Sequence, residues 1–132
     1  MRSVALLMFA LSACSAAPSA TGTYAAGDAT TAIKITLVEG KGIRGSIDVA
    51  AIDWEAGKVR REHAPLTGTK DGTAINLTSG YRSFNLRKSG EDLILIGVDD
   101  HQVRLVRDGR YGVMVSDLER QMADLEALSH HE

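Results

Sequence analysis

Cysteine occurs once in the 132-residue chain, at position 14, so no disulfide can form within one molecule. A domain built from this chain must rest on its core and its hydrogen-bond ladders, unlike the smallest secreted scaffolds. Basic charge is not in excess: the formal net charge is −2, whereas nucleic-acid binders tend to be clearly basic, and nucleic acid is excluded as an expected partner. No apolar run reaches the roughly 20 residues that span a bilayer. Catalytic motifs are missing as well. There is no Gly-x-Ser-x-Gly elbow, no P-loop and no His-Glu-x-x-His, and each of these places a nucleophile, a phosphate cradle or a metal ligand at a fixed spacing. No enzyme, cofactor or metal site is expected.

What is present begins at the N-terminus. Arg2 carries a positive charge, Val4 to Leu11 is a short apolar run, and small residues follow, which is the layout of an export signal. Leu11-Ser12-Ala13-Cys14 closes that run and resembles the lipobox of bacterial lipoproteins. The resemblance covers the first 14 residues and implies that the Cys14 thiol takes a diacylglycerol, that the chain is cut before it, and that the new amine is acylated. The alternative is an ordinary secretory signal cut after Ala17, with Pro18 just beyond the cut and an unpaired cysteine left in an exported protein. Ser15 after the lipidated cysteine implies the outer membrane, facing the periplasm, as the destination within the bacterial cell envelope.

Removing residues 1–13 leaves 119, enough for one domain with a real core. Residues 14–23 are small and polar without periodicity and are expected to form a lipidated N-terminus and flexible tether. Residues 24–132 are expected to form a single β-rich domain. From there to about Arg107 apolar residues mostly alternate, with breaks at Gly, Asp or Asn every 8 to 12 residues, the signature of an antiparallel meander. Ile33, Ile35 and Leu37 share a face, and Gly45, Ile47, Val49 and Ala51 answer them across the Gly40–Gly42 turn. Lys58 to His63 is highly charged and reads as an edge strand that Pro65 limits. Leu93-Ile94-Leu95-Ile96 is apolar at consecutive positions, so both of its faces need cover. The expected fold is mainly β: a small barrel or strongly curved sheet of about eight strands, with one C-terminal α-helix packed against it.

That helix is expected at about 116–129. Ser116 and Glu119 fit a capping box, and Val115, Leu118, Met122, Leu125 and Leu128 recur at spacings of three and four. The simplest partner for this stripe is the doubly apolar Leu93–Ile96 strand. The acidic opposite face argues against anionic lipid, which recruits basic faces.

Two readings are open for Trp54, the sole tryptophan, which falls in a turn: it plugs the end of the core, or it anchors a protein partner, since Trp, Tyr and Arg dominate binding hot spots. Arg60, Arg61 and Arg82 are the candidate companions, with Lys58, Arg87 and Arg104 as further cations that either gather or scatter. Asp99-Asp100-His101 carries the residue types of a metal corner, but Asp favours turns for its own reasons and a turn is expected. The segments Gly22-x-Tyr24, Ile33 to Leu37 and Gly42 to Ile47 resemble avidin-type barrels in outline, without the several aromatics of a biotin pocket. Small β-barrel lipoproteins that inhibit lysozyme are similar in size and address; the Ser79-Gly80-Tyr81 turn differs from their Ser-Gly loop in its spacing to tyrosine.

The expected function is that of a membrane-anchored envelope lipoprotein acting as a non-enzymatic protein-binding, inhibitor, immunity or exclusion module. The alternative is a small β-barrel carrier of an apolar ligand or lipid. The expected partners are the membrane, through lipidated Cys14, and an envelope protein.

Overall fold

The computed structural model describes residues 19–130; the signal 1–13 and Cys14 lie outside the described residues. Eight strands follow one another: β1 (Gly22–Gly27), β2 (Thr31–Glu39), β3 (Ile43–Asp53), β4 (Lys58–Asp71), β5 (Ala74–Ser79), β6 (Arg82–Ser89), β7 (Asp92–Ile96) and β8 (Gln102–Arg107). Helix α1 (Tyr111–His130) completes the chain described. Each strand pairs antiparallel with the next, and β8 returns to β1 through Tyr24↔Arg107 and Ala25↔Val106. The sheet therefore closes into a barrel, and the β-rich class read from the alternation is the one observed.

An eight-stranded meander puts the β1–β2, β3–β4, β5–β6 and β7–β8 turns at one end. The other end holds the chain's entry into β1 and the remaining turns. Side chains alternate in and out along each strand. The inward set near the entry end is closely packed: Tyr24, Ile35, Leu37, Leu66, Ile75 and Leu105 are at most 1% exposed. Burial of each such side chain stabilises by about 1.5–3 kcal/mol, and this half of the barrel is filled. Tight turns close the hairpins; Gly72 and Gly90, at φ 64° and 62°, occupy the left-handed region that side chains disfavour.

Four expectations need correction. First, the tether does not extend to residue 23. Ala20 is fully buried; its N–H donates to Glu39 Oε1 at 2.7 Å and its carbonyl accepts from the Tyr24 hydroxyl at 2.8 Å, so Ala20 corks the entry end. Second, β4 runs unbroken through Pro65. Pro65 lies just past the last β4–β5 pair, Thr67↔Thr78, where one side of β4 is already an edge and a missing N–H is tolerated.

Third, α1 starts at Tyr111 rather than near 116, leaving Ser116 inside the helix instead of capping it. Tyr111 and Met114 pack with Val115, Leu118 and Met122, and tertiary burial of this longer stripe outweighs a local cap. Fourth, α1 lies on the outer wall of β2 and β3, against Ala32, Ala50 and Ile52, and not on β7. Alanines at outward positions make room for a helix there. On β7, Leu93 and Leu95 belong to the interior. Outward-facing Ile94 is 5% exposed and stands in register between Arg87 and Arg104, long side chains of the kind whose stems can shield apolar surface.

The entry end also holds inward charges, among them Glu39, Lys70 and Lys88, which have protein partners. Lys70 Nζ is 3.2 Å from Glu39 Oε1. Lys88, 4% exposed, donates to the Gly90 carbonyl at 3.0 Å and stands over the Tyr24 ring at 5.2 Å. The Ala20 N–H, and after it Lys70, holds the Glu39 carboxyl below its ordinary value of 4.5, against the opposing effect of burial. The folded state thus binds this proton less readily than the unfolded chain. Glu39's stabilisation is fully present above about pH 4.5 and is lost as pH falls through its lowered folded value. We expect Glu39→Gln to lower stability at neutral pH by about 1.5 kcal/mol, the lower end for hydrogen bonds to charged groups. It should also flatten the acid limb of the stability curve. Urea unfolding repeated from neutral pH to about pH 3 checks this; parallel wild-type and variant curves throughout would refute it.

Candidate functional site

The open end is uneven. The β3–β4 ladder continues to Asp53↔Lys58, whereas β5 leaves β4 at Thr67↔Thr78 and turns into β6 at Gly80–Tyr81. One wall, built from β2, β3 and β4 and backed by α1, stands higher than the β5–β6 wall opposite. Between them the interior is hollow. Ile33, Ile47, Val49, Ala64, Phe84 and Leu95 line a cup of about 220 Å3 whose rim includes Glu62 and Arg82.

Alternation places both charges on inward positions. Glu62 precedes Ala64, Leu66 and Gly68 on the inner face of β4 and pairs in register with Val49. Arg82 shares the inner face of β6 with Phe84 and Leu86. Among the described residues neither makes an ion pair or a side-chain hydrogen bond, in contrast with Glu39, Lys70 and Lys88 at the entry end. A second cleft, about 400 Å3, opens where β1 and β8 part above their two pairs; Ala26, Ile33 and Val103 line it and Met114 of α1 reaches it.

Trp54 sits in the β3–β4 turn at the high side of this end and is 59% exposed, so it does not plug the core. It shares one surface hollow with Arg60 and another with Met122, Leu125 and Glu126 of α1. Beyond Met122 the helix loses its cover: Leu125 is 41% and Leu128 64% exposed, so the C-terminal part of the expected packing stripe is not buried. Trp54 and the uncovered turn of α1 together form an exposed apolar surface.

The cations named from the sequence do not share one face. Arg60 belongs with Trp54 and is held by Asp53, with Nη2 3.0 Å from Oδ2; the Ala56 N–H and then Arg60 keep the Asp53 carboxyl below its ordinary value. Arg61 points outward and pairs with Glu119 of α1 at 3.0 Å. Arg82 stands across the mouth on the low wall, and Arg87 and Arg104 flank Ile94 on the outer surface. Asp99 and Asp100 turn the chain before β8, at φ 65° and 60°.

Glu62 was missed in the sequence because Lys58–His63 reads as a solvated charged edge. The usable signal was its phase with Ala64 and Leu66. Two further pairings follow only from register: Asp48 lies opposite His63, with Oδ1 2.7 Å from Nδ1, and Lys34 reaches the same carboxylate at 3.8 Å. They stand on the outer wall near Tyr111, whose ring lies under Lys34 at 5.2 Å. No protein-family model, curated protein or solved structure matches this chain, so the open end of the barrel has to be read from its own geometry.

Proposed function

We propose that this chain is a non-enzymatic, envelope-anchored binding module that grips a protein partner by the open end of its barrel, in the manner of an inhibitor, immunity or exclusion lipoprotein. The observation that carries this reading is the exposed Trp54 beside Leu125 of α1, which is uncovered beyond the half-buried Met122. A large aromatic held on a hairpin tip over an apolar floor is the kind of anchor that dominates protein interfaces. Clustered apolar exposure on a small domain marks such sites more than single exposed residues do. Position supports it too: the chain enters the barrel at the opposite end, so a lipid on Cys14 would leave Trp54 facing away from the membrane.

Trp54→Ala tests the reading. Because the side chain is mostly exposed, stability should change by less than about 1 kcal/mol. Affinity for a partner captured from envelope extracts by the wild-type protein should fall at least about tenfold, and by about 2 kcal/mol or more if Trp54 is a hot spot. Undiminished affinity of a folded Trp54→Ala variant would sink the proposal.

The cup favours a second reading, a carrier of a small ligand. At about 220 Å3 it is smaller than the roughly 300–1,000 Å3 of sites for drug-sized ligands. It suits one compact apolar group.

A further inference from the structure

We infer that the cup at the open end binds a small zwitterion carrying one compact apolar group, with the cationic end on Glu62 and the anionic end on Arg82. This rests on the carrier reading and adds the class of ligand. The apolar requirement comes from the wall, where Ile33, Ile47, Val49, Ala64, Phe84 and Leu95 offer nothing polar from their side chains and Ser79, beside Arg82, adds a single hydroxyl. The size limit comes from below, where Tyr24, Ile35, Leu37 and Leu66 fill the barrel and leave no channel for a long acyl chain.

The charge requirement comes from the rim. Several inward charges of the barrel have protein partners: Glu39 with Lys70, Lys88 with the Gly90 carbonyl, and Arg60, the next inward residue above Glu62, with Asp53. Glu62 and Arg82 stand at the same mouth without such partners among the described residues. A purely anionic ligand would satisfy Arg82 but bring its charge toward Glu62, and a cation would do the reverse. Like-charge juxtaposition of this kind is how a site rejects a wrong ligand. Only a molecule bearing both signs pairs both rim groups. Two sources supply that chemistry: a free amino acid with an apolar side chain, and a short-chain lysophospholipid with an ethanolamine headgroup.

Isothermal titration of the full chain with five probes separates the contributions. L-phenylalanine carries both charges, N-acetylphenylalanine only the anion, phenylalanine amide only the cation, and N-acetylphenylalanine amide neither; hexanoyl-lysophosphatidylethanolamine, with one acyl chain, represents the lipid source. At least one of the two zwitterions should bind about tenfold or more tightly than the singly charged and neutral probes, the step expected of one charge-assisted hydrogen bond. Whichever of them binds identifies the source. Glu62→Gln should abolish the preference for a cationic end and Arg82→Gln that for an anionic end, each weakening the zwitterion about tenfold. Both residues lie on the exposed rim, so unchanged circular dichroism and melting accompany the loss. If the neutral probe binds as tightly as the zwitterions, the ligand class is wrong while the carrier reading stands. If no probe binds, both fall.

Discussion

Alanine at Gly45 or at Gly68 should destabilise the barrel by at least about 3 kcal/mol, the upper part of the range for overpacked interiors. A Cβ at Gly45 would run into the Thr36 carbonyl oxygen, with the carbonyl carbon 2.9 Å away; one at Gly68 would meet the Asn76 carbonyl in the same manner. The obstacle in both cases is backbone of the neighbouring strand, which has no rotamer to change. The two glycines hold inward positions in adjacent strands, Gly45 between Leu37 and Leu66, Gly68 between Ile43 and Leu77. They let β3 approach β2, and β4 approach β5, where the sheet curves towards closure. Glycines in strands mark such close approaches.

Gly112, in the first turn of α1, has open space around its missing Cβ. Gly112→Ala should therefore stabilise, by up to about 1 kcal/mol. Urea midpoints followed by far-ultraviolet circular dichroism compare the three variants on one scale. A midpoint for Gly45→Ala equal to that of the wild type would show that the strand contact relaxes freely.

Which parts of this fold were legible follows the range of the interactions involved. Ile33, Ile35 and Leu37 against Ile47 and Val49 could be read because alternation and a short glycine turn fix a hairpin locally. Closure could not, since Tyr24↔Arg107 joins residues at opposite ends of the strand sequence and nothing near either residue announces its partner. The helix was recognisable from its period, but its seat was not. The outward Ala32 and Ala50 that accept it are inconspicuous beside Leu93–Ile96, whose outward Ile94 lies between Arg87 and Arg104. At the site, Trp54 stood out by rarity. The grouping of Arg60 with Arg61 failed for a reason the sequence already contained: adjacent strand residues face opposite ways, and they end with Asp53 and Glu119 respectively. Glu62 and Arg82 became a pair only when register put both on the inner face of one mouth.

Cys14→Ser should move the protein almost completely from the membrane fraction to the soluble fraction, if Leu11-Ser12-Ala13-Cys14 is processed as the lipobox it resembles. One acyl chain gives marginal, reversible attachment, at about 0.8 kcal/mol per buried CH2, whereas two or more hold firmly; loss of the thiol removes the diacylglycerol and blocks the cut that frees the amine for acylation. Among the described residues, no helix is long and apolar enough to cross a membrane. The polar Ser15–Ser19 stretch gives only short reach. From Cys14 to Ala20, where the chain meets Glu39 at the entry end, a fully extended backbone spans about 20 Å. The filled end of the barrel would then stand next to the bilayer, and the cup, Trp54 and the exposed turn of α1 would face the periplasm. Flotation of wild-type and Cys14→Ser membranes measures the anchor, and the mass of the mature N-terminus identifies the cleavage site. A soluble wild-type protein beginning at Pro18 would establish the ordinary secretory signal instead. Continued flotation of Cys14→Ser would break the link between lipid and location, and with it the reason for assigning the open end to a partner in the periplasm.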